Sequence, residues 1–221
     1  MRIAVLTLTR DRLDFTRRSF KSLHDTAGIE FDHFVIDQGS TDGTPEWLRD
    51  EYQPHHLTLL DHNIGISPGT NTLIREAGDD YDIIVRFDND CEVETPGTLA
   101  HVADLTYRYG LLLSPTILGL RNPPPTIGKP LSLGGSLVDE KHQIGGVFLV
   151  APADLYTTDG FRYADSNPKW GGDDVQVCQW WRSQGGSCGY VQGYNAYHAT
   201  ALQEQADPVY FSRKKQEMGL S

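Results

Sequence analysis

The first half of the chain alternates short apolar runs with helical patterns, and this alternation restricts the fold more than any other feature. Each apolar run has the length and β-branched content of a buried strand: 3–8, 34–36, 57–60 and 83–87. The segment after the first run carries Leu13, Phe20 and Leu23 at helical spacing and ends near Gly28. Strand–helix–strand units of this kind form parallel sheets. We therefore predict an α/β fold with a mainly parallel central sheet flanked by helices.

The second half lacks the regular alternation of apolar runs and helical patterns, and we predict that it completes the same domain. The remaining patterns predict four further helices: one begins with Thr44 as its N-cap, a second ends at Gly78, and two more cover 96–109 and 173–184. They also predict strands at 111–113, at 144–150 and from Tyr190. Residues 163–172 lack periodicity and are predicted as a surface loop or lid. One domain over 1–221 is predicted, with halves of about 1–114 and 115–205 and a polar tail at 206–221.

Polar residues follow the predicted strands of the first half. The fourth strand ends in Asp88-Asn89-Asp90, and two carboxylates one residue apart can share a hard divalent cation. A solvated acidic turn is the alternative for an isolated Asp-x-Asp. Thr7 and Thr9 lie at the end of the first strand, Asp37 follows the second strand, and Asn63 and Gly65 follow the third. Ligands of open α/β sheets bind beyond the carboxyl ends of the strands, so these side chains are predicted to share one site.

Two phosphate-binding motifs are missing from the sequence. Neither Gly-x-Gly-x-x-Gly nor Gly-x-x-x-x-Gly-Lys-Ser/Thr occurs, so we predict no cradle of backbone amides for phosphate. A cation at Asp88 and Asp90 is predicted to bind a diphosphate instead. This prediction requires that the Asp90 carboxylate faces a cavity and is not neutralised by an arginine.

Composition restricts the compartment and the partners. The net charge is −11, which argues against a nonspecific grip on nucleic acid. Three sparse cysteines favour reduced thiols and a cytoplasmic protein. No signal peptide and no membrane span are predicted, although peripheral membrane contact stays open. Basic residues concentrate on the first helix and its approach, either as a solvated face or as a patch for an anionic surface: Arg10, Arg12, Arg17, Arg18 and Lys21.

Several segments resemble the family 2 glycosyltransferases, which have the GT-A fold. Residues 35–44 read Val-Ile-Asp-Gln-Gly-Ser-Thr-Asp-Gly-Thr, similar to the family's Val-Val-Asp-Asn-Gly-Ser-Thr-Asp-Gly-Thr. Residues 87–90 resemble its Leu-Asp-x-Asp metal motif, and 8–12 resemble its Thr-Tyr-Asn-Arg segment. Weaker matches extend the resemblance over about 2–200: Asn63, Gly65, Asn71, Gly145, Gly146, Asp173, Asp174 and His198. Asp173 replaces the family's Glu, and Trp180 stands where an Arg is expected.

The resemblance implies transfer of a sugar from a nucleotide diphosphate, with uridine as the expected base, to an acceptor. A Mn²⁺ or Mg²⁺ ion would be held by Asp88, Asp90 and His198, and Asp174, or as second choice Asp173, would accept the acceptor's proton with inversion. The resemblance also places acceptor contacts at Gly145 and Gly146. We add Trp170 to these contacts, because an aromatic ring can pack against a sugar. The donor is assigned to Thr7, Thr9, Arg10, Arg12, Asp37, Asn63, Gly65, Asn71, Asp88 and Asn89.

Other functions stay open at this point. A retaining glycosyltransferase would share the donor half, and a non-catalytic nucleotide-sugar or glycan-binding module would share the fold. A nucleotidyltransferase would carry a Gly-rich, basic segment where this chain has Thr7-Leu8-Thr9-Arg10. The acceptor is not specified by the sequence: a glycan, a lipid-linked sugar, a protein or a small molecule.

Overall fold

The computed structural model of the chain describes residues 1–120, 123–156, 160–164, 172–198 and 208–217. Its strands are β1 Ile3–Thr9, β2 Asp32–Gln38, β3 His56–Leu60, β4 Ile83–Phe87, β5 Glu92–Val93, β6 Leu112–Leu118, β7 Leu131–Leu133, β8 Ser136–Lys141, β9 Phe148–Pro152 and β10 Cys188–Tyr197. They form one ten-stranded sheet in the order β3-β2-β1-β4-β9-β6-β10-β8-β7, with β5 paired to β10.

Strand direction brings seven carboxyl ends to one edge of this sheet. β3, β2, β1 and β4 are mutually parallel. β9 is antiparallel to both β4 and β6, and β10 is parallel to β6, so β4, β6 and β10 also run in one direction. β7 shares this direction, because β8 is antiparallel to both β10 and β7. We call the edge where β1, β2, β3, β4, β6, β7 and β10 end the carboxyl edge. Residues far apart in the chain meet there.

Helices cover the sheet and contribute to its core. They are α1 Leu13–Thr26, α2 Thr44–Trp47 continuing as a π-helical turn Leu48–Tyr52, α3 Ile66–Ala77, α4 Thr98–Tyr109, α5 Asp173–Ser183 and α6 Pro208–Glu217. α1 buries Phe20 and Leu23, as its predicted apolar face requires. Within the described residues, no helix combines the length and apolar character needed to span a membrane. The predicted α/β fold with a mostly parallel sheet and flanking helices is confirmed.

The structure corrects several predicted boundaries. The strand predicted over 144–150 begins only at Phe148, and Gly145 and Gly146 lie in the turn before it. Thr44 is the first helical residue rather than the N-cap, because Asp42 already accepts its backbone N–H and its hydroxyl. The predicted polar tail contains α6, although its sequence has no marked apolar face. Of the predicted loop at 163–172, residues 165–171 lie outside the described part of the chain.

His33 is a buried histidine on β2 that bridges the sheet and the helices. Its Nδ1 lies 2.6 Å from the Tyr52 hydroxyl and its Nε2 lies 2.9 Å from Oγ1 of Thr7. The ring also packs against Phe20 at a centroid distance of 4.6 Å. Burial, with a smaller effect of His24, lowers the pKa of His33 to about 3. The imidazole is therefore neutral in the folded protein at neutral pH.

We expect acidification to weaken the fold through His33. The unfolded chain protonates this histidine near its ordinary pKa of about 6.5, whereas the folded chain does so near 3, so the unfolded state binds more protons between these values. The free energy of unfolding should fall by about 2 kcal/mol from pH 7 to pH 5 through this group. Urea unfolding across that range measures it. His33→Gln should remove this slope and His62→Gln, at an exposed position, should keep it; equal slopes in both variants would contradict the assignment.

Candidate active site

A cavity opens at the carboxyl edge, between the ends of four strands and two helices. Its wall is formed by the ends of β1, β2 and β4, by the residue after β10, and by α3 and α6. The polar residues in it are Thr9, Arg10, Gln38, Thr70, Arg86, Asp88, Asn89, Asp90, His198 and Tyr210. A larger concavity of about 690 Å³ lies at the opposite edge, around Ile3 and Asp32, and contains none of the predicted site residues. The carboxyl edge is where ligands of such sheets bind.

Asp90 faces this cavity between two basic side chains. Nη1 of Arg12 donates to its Oδ2 at 2.7 Å, and Nε2 of His198 lies 3.2 Å from its Oδ1. Burial would raise the pKa of Asp90, but the hydrogen bond and charge of His198, together with Arg12, hold it well below its usual range. The expectation that no arginine neutralises Asp90 is therefore wrong, and a cation at Asp90 could use only the carboxylate oxygen that Arg12 does not bind. One of its oxygens is bound to Arg12, and the other is directed at His198.

Arg12 reaches Asp90 because the chain turns sharply after β1. Asp11 and Arg12 both adopt left-handed backbone conformations, with φ of 54° and 65°. The turn after β2 holds them there: Ser40 Oγ accepts the N–H of Asp11 at 2.6 Å, and Asp42 Oδ2 accepts the N–H of Leu13 at 2.7 Å. Left-handed residues other than glycine persist only where surrounding contacts fix them. The turn at 37–42 thus positions the guanidinium of Arg12.

The donor atoms at Asp90 fit a divalent ion with two protein ligands. An ion bonded at about 2.1 Å to a carboxylate oxygen and an imidazole nitrogen needs these atoms about 3 Å apart at adjacent coordination positions. The 3.2 Å between Asp90 Oδ1 and His198 Nε2 meets this condition. Within the described ranges, no cluster of three or more His, Cys, Asp or Glu side chains is arranged around a common metal position. Such an ion would take its other ligands from phosphate and water, as Mg²⁺ commonly does.

A second polar cluster connects β4 with the start of α5. Arg86 forms an ion pair with Asp173, and its Nη2 lies 3.6 Å from Oδ1 of Asp88. Asp173 is buried, whereas Asp174 is half-buried and accepts the N–H of Val175 at 2.8 Å. The two acids predicted as candidate bases therefore occupy different environments.

Other predicted site residues have structural partners. Thr7 bonds His33, away from the residues that line the cavity, and both oxygens of the buried Asp37 accept hydrogen bonds from Thr9 and Ser40. Asn71 forms two hydrogen bonds with the backbone of Tyr163, at 2.8 and 3.0 Å. We leave Thr7, Asp37 and Asn71 out of the proposed donor contacts.

The remaining predicted residues are divided between the cavity and other places. Thr9, Arg10, Asp88 and Asn89 line it. Near it, Asn63 Oδ1 accepts the N–H of Gly65 at 2.8 Å. On the acceptor side, Gly145 donates its N–H to the Tyr190 hydroxyl at 2.9 Å, and Trp170 lies outside the described residues. The basic residues of α1 are paired with acids at the surface: Arg17 with Glu51, Arg18 with Glu92 and Lys21 with Asp25.

Four polar residues of the cavity were not predicted as site residues: Gln38, Thr70, Arg86 and Tyr210. Arg86 interrupts the apolar run of β4, and a charge within a buried strand requires a partner, so its position was an available signal. Gln38 accepts the N–H of Ile64 at 3.2 Å and occupies the Asn position of the family segment. Nothing in the sequence around Tyr210 predicts its contact with Arg12, 4.8 Å from ring centroid to guanidinium carbon.

The fold is that of GT-A glycosyltransferases. TarS of S. aureus, as residues 1–349, superposes with a TM-score of 0.65 at 15% identity, over 89% of this chain and 60% of that one. The mannosyltransferase PcManGT from Pyrobaculum calidifontis, solved with GDP-Man and Mn²⁺, gives 0.68 at 17% identity over 90% and 56%. GalNAc-T7, solved with UDP, GalNAc and Mn²⁺, gives 0.68 at 12% over 90% and 44%.

A sequence comparison indicates a family within this fold. Residues 4–111 match the model described as glycosyl transferase family 2. This part of the chain is therefore similar to the family 2 glycosyltransferases, in agreement with the resemblance found in the sequence. The whole chain spans 60% of the TarS chain and smaller shares of the other two. No curated protein sequence matches it significantly.

Proposed function

We propose that this chain transfers a sugar from a nucleotide diphosphate donor, with UDP-sugars as the first expectation, to an acceptor. The observation that carries the proposal is the pair of Asp90 Oδ1 and His198 Nε2, 3.2 Å apart in a cavity at the carboxyl edge. The match of residues 4–111 to the glycosyl transferase family 2 model supports the same reaction class. The nucleotide sugars and nucleotides bound by similar folds also support a donor of this kind.

Asp90 and His198 would hold a Mn²⁺ or Mg²⁺ ion, and a nitrogen ligand favours Mn²⁺. When bound, such an ion supplies positive charge that stabilises a departing diphosphate. The chain contributes its own cations to the same wall, because Arg10 and Arg86 line the cavity. Asp88, whose side chain lies near Arg86, is proposed to contact the donor rather than complete a three-residue metal site.

Asp174 is proposed as the general base, with inversion at the anomeric carbon. It lies in the first turn of α5 beside Asp173 and is the more exposed of the two acids. A positioned carboxylate that accepts the acceptor's proton contributes about 10²–10⁴-fold to the rate. The acceptor class stays open between a glycan, a lipid-linked sugar, a protein and a small molecule. Three free, buried cysteines support the cytoplasmic location that the sequence favours.

The proposed function predicts metal-dependent donor binding. A donor present at about 100 times its Kd adds about 2.7 kcal/mol to the free energy of unfolding, which raises the Tm of a domain of this size by about 5–10 °C. Thermal unfolding with Mn²⁺ and a panel of UDP-glucose, UDP-GlcNAc, UDP-galactose and GDP-mannose measures this. We expect the cognate donor to stabilise the native chain with Mn²⁺ and to lose that effect in EDTA.

Asp90→Ala is the test variant and Asp80→Ala is its matched control. Asp80 is an exposed aspartate, with 85% of its side chain accessible, beyond the opposite edge of the sheet. The control should respond like the native chain, and Asp90→Ala should not respond. Equal stabilisation of all three proteins without metal would count decisively against the proposed site.

Turnover separates the proposed transferase from the alternatives. A non-catalytic binding module would show the same thermal shift but no release of nucleoside diphosphate, with or without acceptors. A retaining transferase would release it with the donor's anomeric configuration preserved in the product. Product analysis by NMR distinguishes inversion from retention.

A further inference from the structure

Arg86 is a charged residue inside the buried strand β4, and its contacts join the two halves of the chain. Only 11% of its side chain is exposed, and its partner Asp173, at 4%, is more buried still. On the other side of the guanidinium, Nη2 lies 3.6 Å from Oδ1 of Asp88. Arg86 thus lies between the acid that follows β4 and the first residue of α5.

The backbone before β9 holds this guanidinium in a narrow slot. A Cβ atom at Gly146 would lie 2.6 Å from Nη1 of Arg86 and 2.7 Å from its Cζ. Distances this short exclude a side chain there unless the guanidinium moves. The absence of a side chain at Gly146 therefore leaves room for the guanidinium of Arg86 close to the backbone before β9.

Asp173 and Asp174 differ in the free energy that protonation of each carboxylate would cost. Protonating Asp173 would break a buried ion pair and remove the nearest negative charge of Arg86, which is unfavourable. Burial would lower the pKa of Arg86, but the charges of Asp88 and Asp174 raise it, so the arginine stays charged. Asp174 is half-buried and can take up a proton without breaking that pair.

We propose that Arg86 is a positioning residue: it anchors the start of α5 through Asp173, so that Asp174 is held beside the donor cavity as the base. The inference rests on the proposed glycosyl transfer and assigns the two adjacent acids separate tasks. Asp173 serves as the anchor and does not exchange protons during turnover. A displacement of the base by about 1 Å can cost about 10²-fold in rate, so loss of the anchor should be measurable.

The test compares Arg86→Met, Arg86→Lys, Asp173→Asn and the double variant Arg86→Met/Asp173→Asn with the native chain. The assay follows nucleoside diphosphate release from the panel donor that turns over fastest, across a pH series, with donor affinity measured by calorimetry. Arg86→Met and Asp173→Asn should each lower kcat by about 10²-fold. Asp173→Asn, which leaves the residues that line the donor cavity intact, should change the donor Kd by less than about threefold. The double variant should be no slower than the slower single variant, because both changes break the same link.

The pH profile distinguishes an anchor from a base. Asp173→Asn should keep the native pH profile of kcat, including its acidic limb, because the proposed base Asp174 is unchanged. Arg86→Lys should recover part of the rate by restoring a cation opposite Asp173. Loss of the acidic limb in Asp173→Asn, or additive effects in the double variant, would overturn the inference. Arg108→Met, which breaks an exposed pair with Asp104 on α4, should leave every quantity unchanged.

Folding and function are controlled separately. If either single variant fails to fold, the double variant removes both buried charges and provides the measurement. A native chain that turns over while Arg86→Met and Asp173→Asn match it would overturn this inference alone. A native chain that neither binds nor hydrolyses any donor of the panel would overturn the proposed function, and this inference with it.

Discussion

Replacing Asp174 by Asn should lower the rate of sugar transfer by about 10²–10⁴-fold and leave donor affinity nearly unchanged. Asn keeps the size of the side chain and the hydrogen bond that Val175 donates at 2.8 Å, but it cannot accept a proton as a base. Donor affinity should persist because the cavity beside Asp90 is lined by strand ends, α3 and α6, whereas Asp174 lies on α5. Donor hydrolysis, in which water is the acceptor, and calorimetric titration of the donor measure the two quantities.

The matched control for this variant is Asp154→Asn. Asp154 is also an aspartate in the first turn of a helical segment, the 3₁₀ turn Ala153–Tyr156 that follows β9. It should retain native turnover and native donor affinity. Unchanged turnover in Asp174→Asn would transfer the role to Asp173 or to another group, and it would also remove the division of tasks between the two acids that Arg86 is proposed to enforce.

The donor edge could be predicted because it depends on strand direction alone. Once β1, β2, β3 and β4 are recognised as parallel, their carboxyl ends share one edge, and Thr9, Asp88 and Asp90 follow there. His198 joins them because β10 runs in the same direction as β4, 100 residues away in the chain. The sequence indicated this position through its family resemblance and not through any local pattern.

The partners of these acids could not be predicted, because they depend on backbone conformation and on contacts distant in sequence. Arg12 reaches Asp90 only in a left-handed conformation that the turn at 37–42 enforces, and no propensity predicts such a residue. The family segment at 35–44 was interpreted as a donor-binding motif. In the structure, the side chains of Asp37, Ser40 and Asp42 form hydrogen bonds within that turn and with the end of β1 and the residues that follow it.

The second half of the chain was predicted less well, for a related reason. β7 and β8 are short strands at the sheet border with polar residues, so they lack the apolar runs that indicate buried strands. α6 has a weak apolar pattern, and its aromatic residues Tyr210 and Phe211 pack against the guanidinium of Arg12. Cation–π contacts of this kind leave no periodic trace in a sequence.

We expect Arg12→Met to lower the free energy of unfolding by about 3–5 kcal/mol in metal-free buffer. The substitution removes the guanidinium that bonds Asp90 at 2.7 Å, in a pair whose side chains are 4% and 13% exposed. It also removes the contact with the ring of Phe15, at 4.2 Å. Urea unfolding with EDTA measures the loss. Arg17→Met is the matched control, because the Arg17–Glu51 pair is exposed and should contribute about 0–1 kcal/mol.

Mn²⁺ tests whether the same carboxylate is a metal ligand. In the native chain Arg12 already compensates the charge of Asp90, whereas in Arg12→Met an ion bound between Asp90 and His198 would supply the missing positive charge. Mn²⁺ should therefore stabilise Arg12→Met more than it stabilises the native chain, and Arg12→Met/Asp90→Asn should not respond. If Mn²⁺ has the same effect on all three proteins, Asp90 is the buried partner of Arg12 and holds no metal, and the charge on a departing diphosphate must be met by Arg10 and Arg86 instead.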